Sequence, residues 1–513
     1  MQHRYVAVVR PPSAGAPPDL GPHMPDATPL AIRPDRHRVL RLAAVAALSV
    51  GAATCAVNPA TGKRELSLVG ESQEIALGLE GAKAAAAQMG IYPDSTVQRY
   101  VASLGQQVAK VGERPGLPWS FTVVDDPIVN AFALPGGPIF VSRGILTYMN
   151  SEAQLVSVLG HEVGHVTAKH SVNQMSKQQL LGGLLTVGMI VRPELQQYGG
   201  VASQGLGLLF LKYGRDDETQ ADDLGFRYMT RVGYDPHEMA EMFKTLERVS
   251  GGGSRGTPEW LSTHPDPGNR VARTGERITA AGPTIAAAKR IERNTFVRRL
   301  DGMVFGDDPR QGYFEQGVFL HPTLKFRFAY PNGWKTQNSA SAVIGASAQG
   351  DAQIALELAG SASPQQALGQ FLGQQGIQAG GTSTSPINGL VAAVGQFAAQ
   401  SQDGSMLAGY VAFIQLDGTT YRLLAITPQQ LMQQYDAPFR ATINSFARLS
   451  DPKALAAKPM RVRVVSTTKA MTLAEFNGQY PSSVPVATIA LINALDANAT
   501  IPAGTLVKRV VQD

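Results

Sequence analysis

Apolar residues recur at helical spacing through much of residues 56–295. The spacing predicts helices over Ser72–Gln88 and Ser95–Val111, from Ser151 to about His170, and from near Asp216, Asp235 and Asp266. Three extended runs around the Pro135-Gly136-Gly137 turn predict short strands over Phe121–Val124, Ala131–Leu134 and Pro138–Val141. Residues 56–295 are therefore predicted to form a mostly helical domain with a small β-sheet.

The pattern changes after a polar connection at residues 296–316. Alternation predicts a strand at Leu324–Tyr330, and two longer runs, Met406–Gln415 and Thr419–Ile426, predict a hairpin turning at Asp417-Gly418. Helical segments lie between and after these strands, so residues 317–450 predict an α+β domain. The segment Tyr330-Pro331-Asn332-Gly333-Trp334 resembles the opening of PsbP-like domains.

The final residues, 455–513, follow a strand, helix, helix, strand pattern. Its parts are Val462–Val465, Thr472–Phe476, Ile489–Leu495 and Ile501–Val507. This order resembles a LysM-type βααβ module, and the resemblance implies peptidoglycan as a partner. Ala470-Met471 stands where such modules carry Gly-Asp, so a degenerate structural copy is the alternative.

The first 55 residues have the composition and residue order of a leader segment. They carry six Arg and three Asp, which account for +3 of the formal net charge of +5, so the remaining chain is nearly neutral and no nucleic-acid partner is expected. Arg residues up to Arg41 precede a short apolar stretch, Leu42–Val50, and small residues then lead to Cys55. This order is typical of a signal segment that is too short to span a membrane.

Cys55 is the single cysteine, which excludes an internal disulfide. It stands where a bacterial lipoprotein signal places its lipidated cysteine, with Ala52 and Thr54 replacing residues usual at their positions. Lipidation would anchor the protein to a membrane on the periplasmic side of the cell envelope. Ordinary secretion, or an apolar start to the folded domain, are the alternatives.

Candidate metal ligands and a candidate general base lie together in the segment His161-Glu162-Val163-Gly164-His165, a His-Glu-x-x-His motif on a predicted helix. Residues four apart share a helix face with Cβ atoms about 5–6 Å apart, so both imidazoles can bind one ion. Glu162 lies beside them, where it can act as a general base without becoming a ligand. A catalytic zinc takes three protein ligands and keeps an open position, and Glu218 on a second predicted helix would supply the third.

Asp222 lies one turn after Glu218 and can orient a ligand imidazole through a hydrogen bond. The alternative for Asp216, Asp217 and Glu218 is a purely electrostatic role at a helix N-terminus. That role explains the first two better than Glu218, because the His pair still needs a third ligand.

These motifs resemble the CAAX-prenyl-protease/HtpX-like zinc metallopeptidase family of gluzincins, specifically its soluble periplasmic, BepA-like branch. The resemblance also rests on Asn130-Ala131-Phe132-Ala133, on His264-Pro265 with Arg270, and on the Val57–Arg64 segment, and it covers about residues 56–290. It implies a zincin-like peptidase fold, with one zinc at His161, His165 and Glu218 and polypeptides of the cell envelope as substrates.

The resemblance also implies that Glu162 is the general base and that Asp222 supports the metal site through a ligand imidazole. It places His264 and Arg270 near the cleft, where they would stabilise the oxyanion, or where His264 would reversibly occupy the open zinc position. A loop residue and a surface charge are their alternatives, and His170 is predicted to be a polar residue at a helix end.

Substrate access depends on two further segments. An extended peptide is expected to pair with a strand edge at Asn130–Ala133 or Pro138–Val141. The apolar run within Met175–Lys212 is either a lid over the cleft or part of the core. An envelope chaperone or peptidoglycan-binding scaffold with a silent or latched protease domain is the alternative to an active protease.

Overall fold

The structure, a computed structural model, describes residues 55–180, 212–251, 264, 269–401 and 404–512. Its first part is helical and begins with an antiparallel hairpin of β1 (Cys55–Val57) and β2 (Arg64–Leu66). The helices that follow are α1 (Glu71–Met89), α2 (Ser95–Lys110), α3 (Arg143–Tyr148), α4 (Glu152–Thr167), α5 (His170–Leu180), α6 (Arg215–Arg231), α7 (His237–Gly251), α8 (Arg270–Ala281) and α9 (Arg293–Arg299). The predicted mostly helical region is confirmed.

A three-stranded sheet lies within this helical region. Its strands are β3 (Ser120–Val124), β4 (Ala131–Ala133) and β5 (Pro138–Ser142), in the order β3-β5-β4. The β5 strand pairs on both sides, parallel to β3 and antiparallel to β4. It therefore has no free edge with which a substrate peptide could pair. The prediction that a substrate peptide pairs with Pro138–Val141 is wrong. The β4 strand lies at the edge of this sheet.

The carboxy-terminal part is rich in β-structure. After β6 (Val304–Phe305), its strands are β7 (Tyr313–Glu315), β8 (Val318–His321), β9 (Phe326–Ala329), β10 (Lys335–Asn338), β11 (Ala342–Ala346), β12 (Gln353–Leu358), β13 (Ile377–Ser383), β14 (Ala392–Gln400), β15 (Met406–Leu416), β16 (Thr419–Pro428) and β17 (Ala447–Arg448). They form a seven-stranded sheet, β10-β11-β12-β16-β15-β14-β13, and a four-stranded sheet, β17-β9-β8-β7. Helices α10 (Pro364–Leu372) and α11 (Met432–Ser445) belong to this part.

The predicted hairpin is confirmed at its turn. Leu416 of β15 pairs with Thr419 of β16, so the loop between them has two residues. Asp417 and Gly418 both have positive φ, 50° and 82°, as a two-residue turn of type I′ requires.

The last elements are α12 (Pro452–Leu455), β18 (Met460–Ser466), β19 (Met471–Thr472), α13 (Leu473–Gln479), α14 (Val486–Ile492), β20 (Thr500–Ile501) and β21 (Leu506–Gln512). Strands β18 and β21 pair antiparallel, and β18 also pairs with β6. The prediction that residues 296–316 are only a polar connection is therefore wrong. Val304 and Phe305 are a buried apolar pair within that polar stretch, and they supply a third strand.

This last unit packs into the helical region. Val462, Leu506 and Val510 belong to the same hydrophobic cluster as Leu159 and Val163 of α4. Lys508 is buried, and its Nζ donates to the carbonyl oxygens of residues 147 and 149 at 2.9 and 2.6 Å, where α3 ends. In the part of the chain that the structure describes, no helix combines the length and apolar character needed to cross a membrane.

Lys508 gives a test of this packing. We expect Lys508→Met to lower the free energy of unfolding by about 1–3 kcal/mol, because two buried carbonyl oxygens lose their donor. Burial lowers the pKa of Lys508 well below its ordinary value of 10.5. The folded chain therefore binds fewer protons at this site than the unfolded chain, and the stability of the wild type should rise with pH between the folded pKa and 10.5.

Denaturant unfolding at several pH values measures both effects. Lys469→Met, at an exposed position in the same unit, is the matched control and should change neither. Equal pH slopes for the wild type and Lys508→Met would contradict the expected role of the buried amine.

Candidate metal centre

Helices α4 and α6 cross at very short range because small residues face each other. A Cβ added at Gly160 would lie 3.1 Å from the Cα of Gly225, and one added at Gly225 would lie 2.9 Å from the backbone nitrogen of His161. A Cβ at Gly164 would likewise lie 3.1 Å from the carbonyl oxygen of Ala221. The crossing therefore requires residues without side chains, and it brings the histidines of α4 against the acidic face of α6.

The two helices are positioned by their own caps. Ser151 caps α4 by accepting a hydrogen bond from the backbone N–H of Gln154. The side chain of Asp217 accepts from the backbone N–H of Gly214 and so caps α6. Glu218, the next residue, is fully buried and faces the histidines, whereas Asp216 is exposed. Glu218 is therefore positioned as a candidate ligand, and Asp216 only as a charge at the helix N-terminus.

The predicted ligands converge, and His264 joins them. His161 Nε2 lies 3.0 Å from His165 Nε2, and each lies 3.4 Å from a carboxylate oxygen of Glu218. His264 Nδ1 lies 3.3 Å from His161 Nε2 and 2.9 Å from Glu218 Oε1. One donor atom from each of these four buried residues lies within 4.8 Å of the others, so the group can hold a metal ion.

The spacing of this group fits zinc. Donors about 2.0–2.1 Å from one tetrahedral ion lie about 3.4 Å from each other, close to the separations observed here. Three imidazoles and a carboxylate are also donor types that zinc accepts. Glu162 is fully buried beside them, and among the described residues neither of its carboxylate oxygens has a hydrogen-bond partner.

Asp222 and Arg270 stand behind His161. Asp222 Oδ1 lies 2.9 Å from His161 Nδ1, so the Nδ1–H of the ring donates to it and Nε2 faces the other ligands. Arg270 donates to both oxygens of Asp222, with Nε at 3.0 Å from Oδ2. The guanidinium also lies 4.0 Å from the ring centre of Phe243. Arg270 therefore lies on the Nδ1 side of His161, and its Nη1 also lies 3.9 Å from Glu218 Oε2.

Burial and neighbouring charged groups together shift the pKa values of the residues in the site. Burial would raise the pKa of Glu218, but His264, His161 and His165 outweigh it and hold that pKa well below its usual range. Burial lowers the pKa of His161, yet hydrogen bonds to Asp222 and Glu218 prevail and raise it to about 9. A metal ion must displace that proton, so metal affinity should increase with pH. Burial raises the pKa of Glu162, which makes its carboxylate a stronger base.

Sequence reasoning missed three residues around His165. His170 was predicted to be a polar residue at a helix end, but it is buried and its Nδ1 lies 2.9 Å from His165 Nδ1. Its Nε2 lies 2.7 Å from Gln220 Oε1. Tyr213 stacks on the His165 ring, with the ring centres 3.9 Å apart. Gln220 lies two residues from both Glu218 and Asp222, and residues two apart on a helix do not share a face, so helical spacing gave no signal for it.

Other predicted features have mixed outcomes. Asn130 is buried next to the edge strand β4, and its backbone N–H donates to Ser142 Oγ. Of the predicted lid, residues 181–211 lie outside the described part of the chain, as do the leader up to residue 54 and the predicted helix start at Asp266-Pro267. Helix α8 begins at Arg270.

A His-Glu-x-x-His helix, a carboxylate on a crossing helix as the candidate third ligand, and a buried glutamate that accepts no hydrogen bond among the described residues define a metallopeptidase centre. Residues 95–278 match the family model described as Peptidase family M48, so this part of the chain is a Peptidase family M48 domain.

Named relatives agree with this assignment. The chain is 33% identical to the mitochondrial metalloendopeptidase OMA1 of Arabidopsis thaliana, over 34% of this chain and 35% of that protein. It is 29% identical to the beta-barrel assembly-enhancing protease of Escherichia coli K12, over 37% of this chain and 41% of that protein. The matches thus span less than half of either relative. Among solved structures, cyanobacterial PsbP from Synechocystis covers 26% of this chain and 91% of its own, with 14% identity and a TM-score of 0.22.

Asp222 tests the support of His161. We expect Asp222→Asn to weaken metal binding by about 10- to 100-fold, because His161 loses the carboxylate that fixes its tautomer. Competition with a zinc chelator measures the affinity. Asp223→Asn, at the adjacent position outside the centre, is the control, and an equal loss in both variants would rule out the role of Asp222.

Proposed function

We propose that the protein is a zinc-dependent endopeptidase that cleaves polypeptides of the bacterial cell envelope, misfolded or unassembled proteins in particular. The observation that carries the proposal is the buried convergence of His161, His165 and Glu218 beside Glu162. The buried carboxylate of Glu162 accepts no hydrogen bond among the described residues and lies 3.7 Å from His264 Nε2. A structural zinc centre needs no general base beside its ligands. A base held next to the ligands serves hydrolysis.

Zinc held by His161, His165 and Glu218 would polarise the scissile carbonyl and acidify water. Glu162 takes the proton from the attacking water and returns it to the leaving nitrogen, a task that its raised pKa favours. Asp222 holds the tautomer of His161, and Arg270 balances the charge of Asp222. The substrate backbone pairs with the edge of β4, so recognition depends little on substrate side chains.

His264 has two candidate roles at this centre, and its position favours one of them. Its Nδ1 lies 2.9 Å from Glu218 Oε1 and 3.3 Å from His161 Nε2, among the ligand atoms themselves. We therefore propose that His264 is a reversible fourth ligand that latches the site. Stabilisation of the oxyanion, the second role, would need His264 to stand beside the ligand set rather than inside it.

The cellular setting is proposed from sequence and relatives. The signal-like segment before Cys55 supports a location on the periplasmic side of the envelope, with lipidation of Cys55 or secretion as the two outcomes. The mass of the amino-terminal peptide distinguishes them. The relative named beta-barrel assembly-enhancing protease supports envelope proteins as substrates.

The carboxy-terminal units support the scaffold alternative less well. We propose domains at 56–295, 317–450 and 455–513, with residues 1–55 as leader, the second PsbP-like and the third LysM-like in its βααβ order. The third shares a hydrophobic cluster with α4. A structural role is therefore favoured over peptidoglycan binding.

Glu162→Gln tests the enzymatic proposal. We expect the variant to bind zinc as the wild type does and to hydrolyse an unfolded protein about 10²- to 10⁴-fold more slowly, because the general base is lost. Zinc stoichiometry and the cleavage rate are measured on the same samples. Equal, slow cleavage by both proteins would instead favour the scaffold function.

His264→Ala tests the latch. If His264 competes for the fourth position, its removal should raise the initial rate of peptide hydrolysis while three ligands still hold the metal. A fall of about 10²- to 10³-fold at full zinc occupancy would contradict the latch and support oxyanion stabilisation. Thr274→Ala, a buried change outside the ligand set, controls for packing.

A further inference from the structure

The segment Val57–Arg64 contains one buried polar residue, Asn58, in the turn of the β1–β2 hairpin. Asn58 Oδ1 accepts from the backbone N–H of Ala60 at 2.9 Å. Asn58 Nδ2 donates to Glu65 Oε1 at 2.9 Å and to the carbonyl oxygen of Ala168, which ends α4, at 3.2 Å. It also lies 3.3 Å from Gln220 Oε1.

These contacts fix which amide atom is which. A backbone N–H can only donate, and a carbonyl oxygen can only accept, so the oxygen of Asn58 faces Ala60 and its nitrogen faces Ala168. Asn58 Nδ2 has two hydrogens for three acceptors, so the Ala168 carbonyl oxygen and Gln220 Oε1 share one of them. The oxygen of Gln220 faces Asn58 because the NH2 group of Gln220 would meet Asn58 Nδ2 donor against donor. The orientation of one amide therefore sets the orientation of the next.

The chain of donors continues through two imidazoles. His170 Nε2 lies 2.7 Å from the same Gln220 Oε1 and must carry a hydrogen. The Nδ1 atoms of His170 and His165 lie 2.9 Å apart, and only one hydrogen fits between them. In neutral His170 the hydrogen is already on Nε2, so its Nδ1 accepts from the Nδ1–H of His165. His165 Nε2 is left with its lone pair, 3.4 Å from Glu218 Oε1.

We propose that the β1–β2 hairpin is a positioning element of the metal centre: Asn58, through Gln220 and His170, holds His165 in the tautomer that binds metal. The inference rests on the proposed function in that it takes His165 as a metal ligand. It assigns the two ligand imidazoles different supports. His161 is held by the carboxylate of Asp222, and His165 is held by a relay of uncharged hydrogen-bonding groups that begins at Asn58 in the β1–β2 hairpin.

Metal affinity is the direct readout, measured for Zn²⁺ by chelator competition and for Co²⁺ by its absorption spectrum. We expect Gln220→Leu to weaken binding by about 10- to 100-fold, because His170 loses its acceptor and the tautomer of His165 is no longer fixed. Gln220→Glu keeps an acceptor at that point and should keep most of the affinity. Asn58→Ala should weaken binding in the same direction and by less.

Asn173→Ala is the matched control for hairpin anchoring. Asn173 Nδ2 donates to Glu65 Oε2 and so ties the same hairpin to α5, but this hydrogen bond does not involve Gln220 or His170. It should leave the metal affinity and the Co²⁺ spectrum unchanged. Thermal unfolding of each metal-free variant shows that the compared proteins are folded.

The outcomes separate this inference from the proposed function. If the wild type binds Zn²⁺ and Co²⁺ and the Gln220→Leu and Asn58→Ala variants bind equally well, the relay is wrong and the metal centre stands. If Asn173→Ala weakens binding as much as Asn58→Ala, hairpin anchoring alone accounts for the effect and the relay is again wrong. If the wild type binds neither metal, the proposed function is wrong, and the inference that rests on it is wrong as well.

Discussion

The close crossing of α4 and α6 is the constraint on which the metal centre depends. Gly160 and Gly225 let the two backbones approach until a single methyl group would not fit between them. Helices with ordinary side chains at a contact pack about 8–10 Å apart, and a wider spacing would carry Glu218 away from the histidines. The ligand set thus depends as much on the absence of side chains at the crossing as on the ligands themselves.

Complete burial then determines how each ligand must be supported. A buried imidazole needs a partner for its second nitrogen, because an unpaired polar atom in the interior costs about 1–3 kcal/mol. The Asp222 and Arg270 pair satisfies His161 and adds no net charge. His170 and Gln220 satisfy His165 through uncharged hydrogen-bonding groups, and the carboxylate of Asp217 lies farther out, 3.9 Å from His170 Nε2. The formal charge near the donors therefore comes mainly from Glu218 and Glu162, which favours a divalent cation and leaves one carboxylate to exchange protons.

The sequence predicted the features that local spacing determines. His161 and His165 share a face because they lie four residues apart, and the Asp417-Gly418 pair specifies its turn with no help from the rest of the fold. Features that depend on distant partners were missed: His170 faces His165 only because the chain turns at Lys169, which has a positive φ of 61°. The four-residue spacing of Gly160 and Gly164, repeated by Ala221 and Gly225, was a readable sign of the crossing.

Domain limits drawn from changes in composition and apolar pattern do not coincide with the limits of the hydrophobic cores. Residues 296–316 look like a linker by composition, yet β6 within them pairs with β18 some 150 residues later. Arg293 of α9 donates to the carbonyl oxygen of Leu506, and Lys508 meets the end of α3, three residues before α4 begins. The last unit therefore contributes to the core that supports α4, the helix that carries the candidate metal ligands. Because the free energy of a shared core is lost as a whole, changes in this unit should reach the centre through stability rather than through contact.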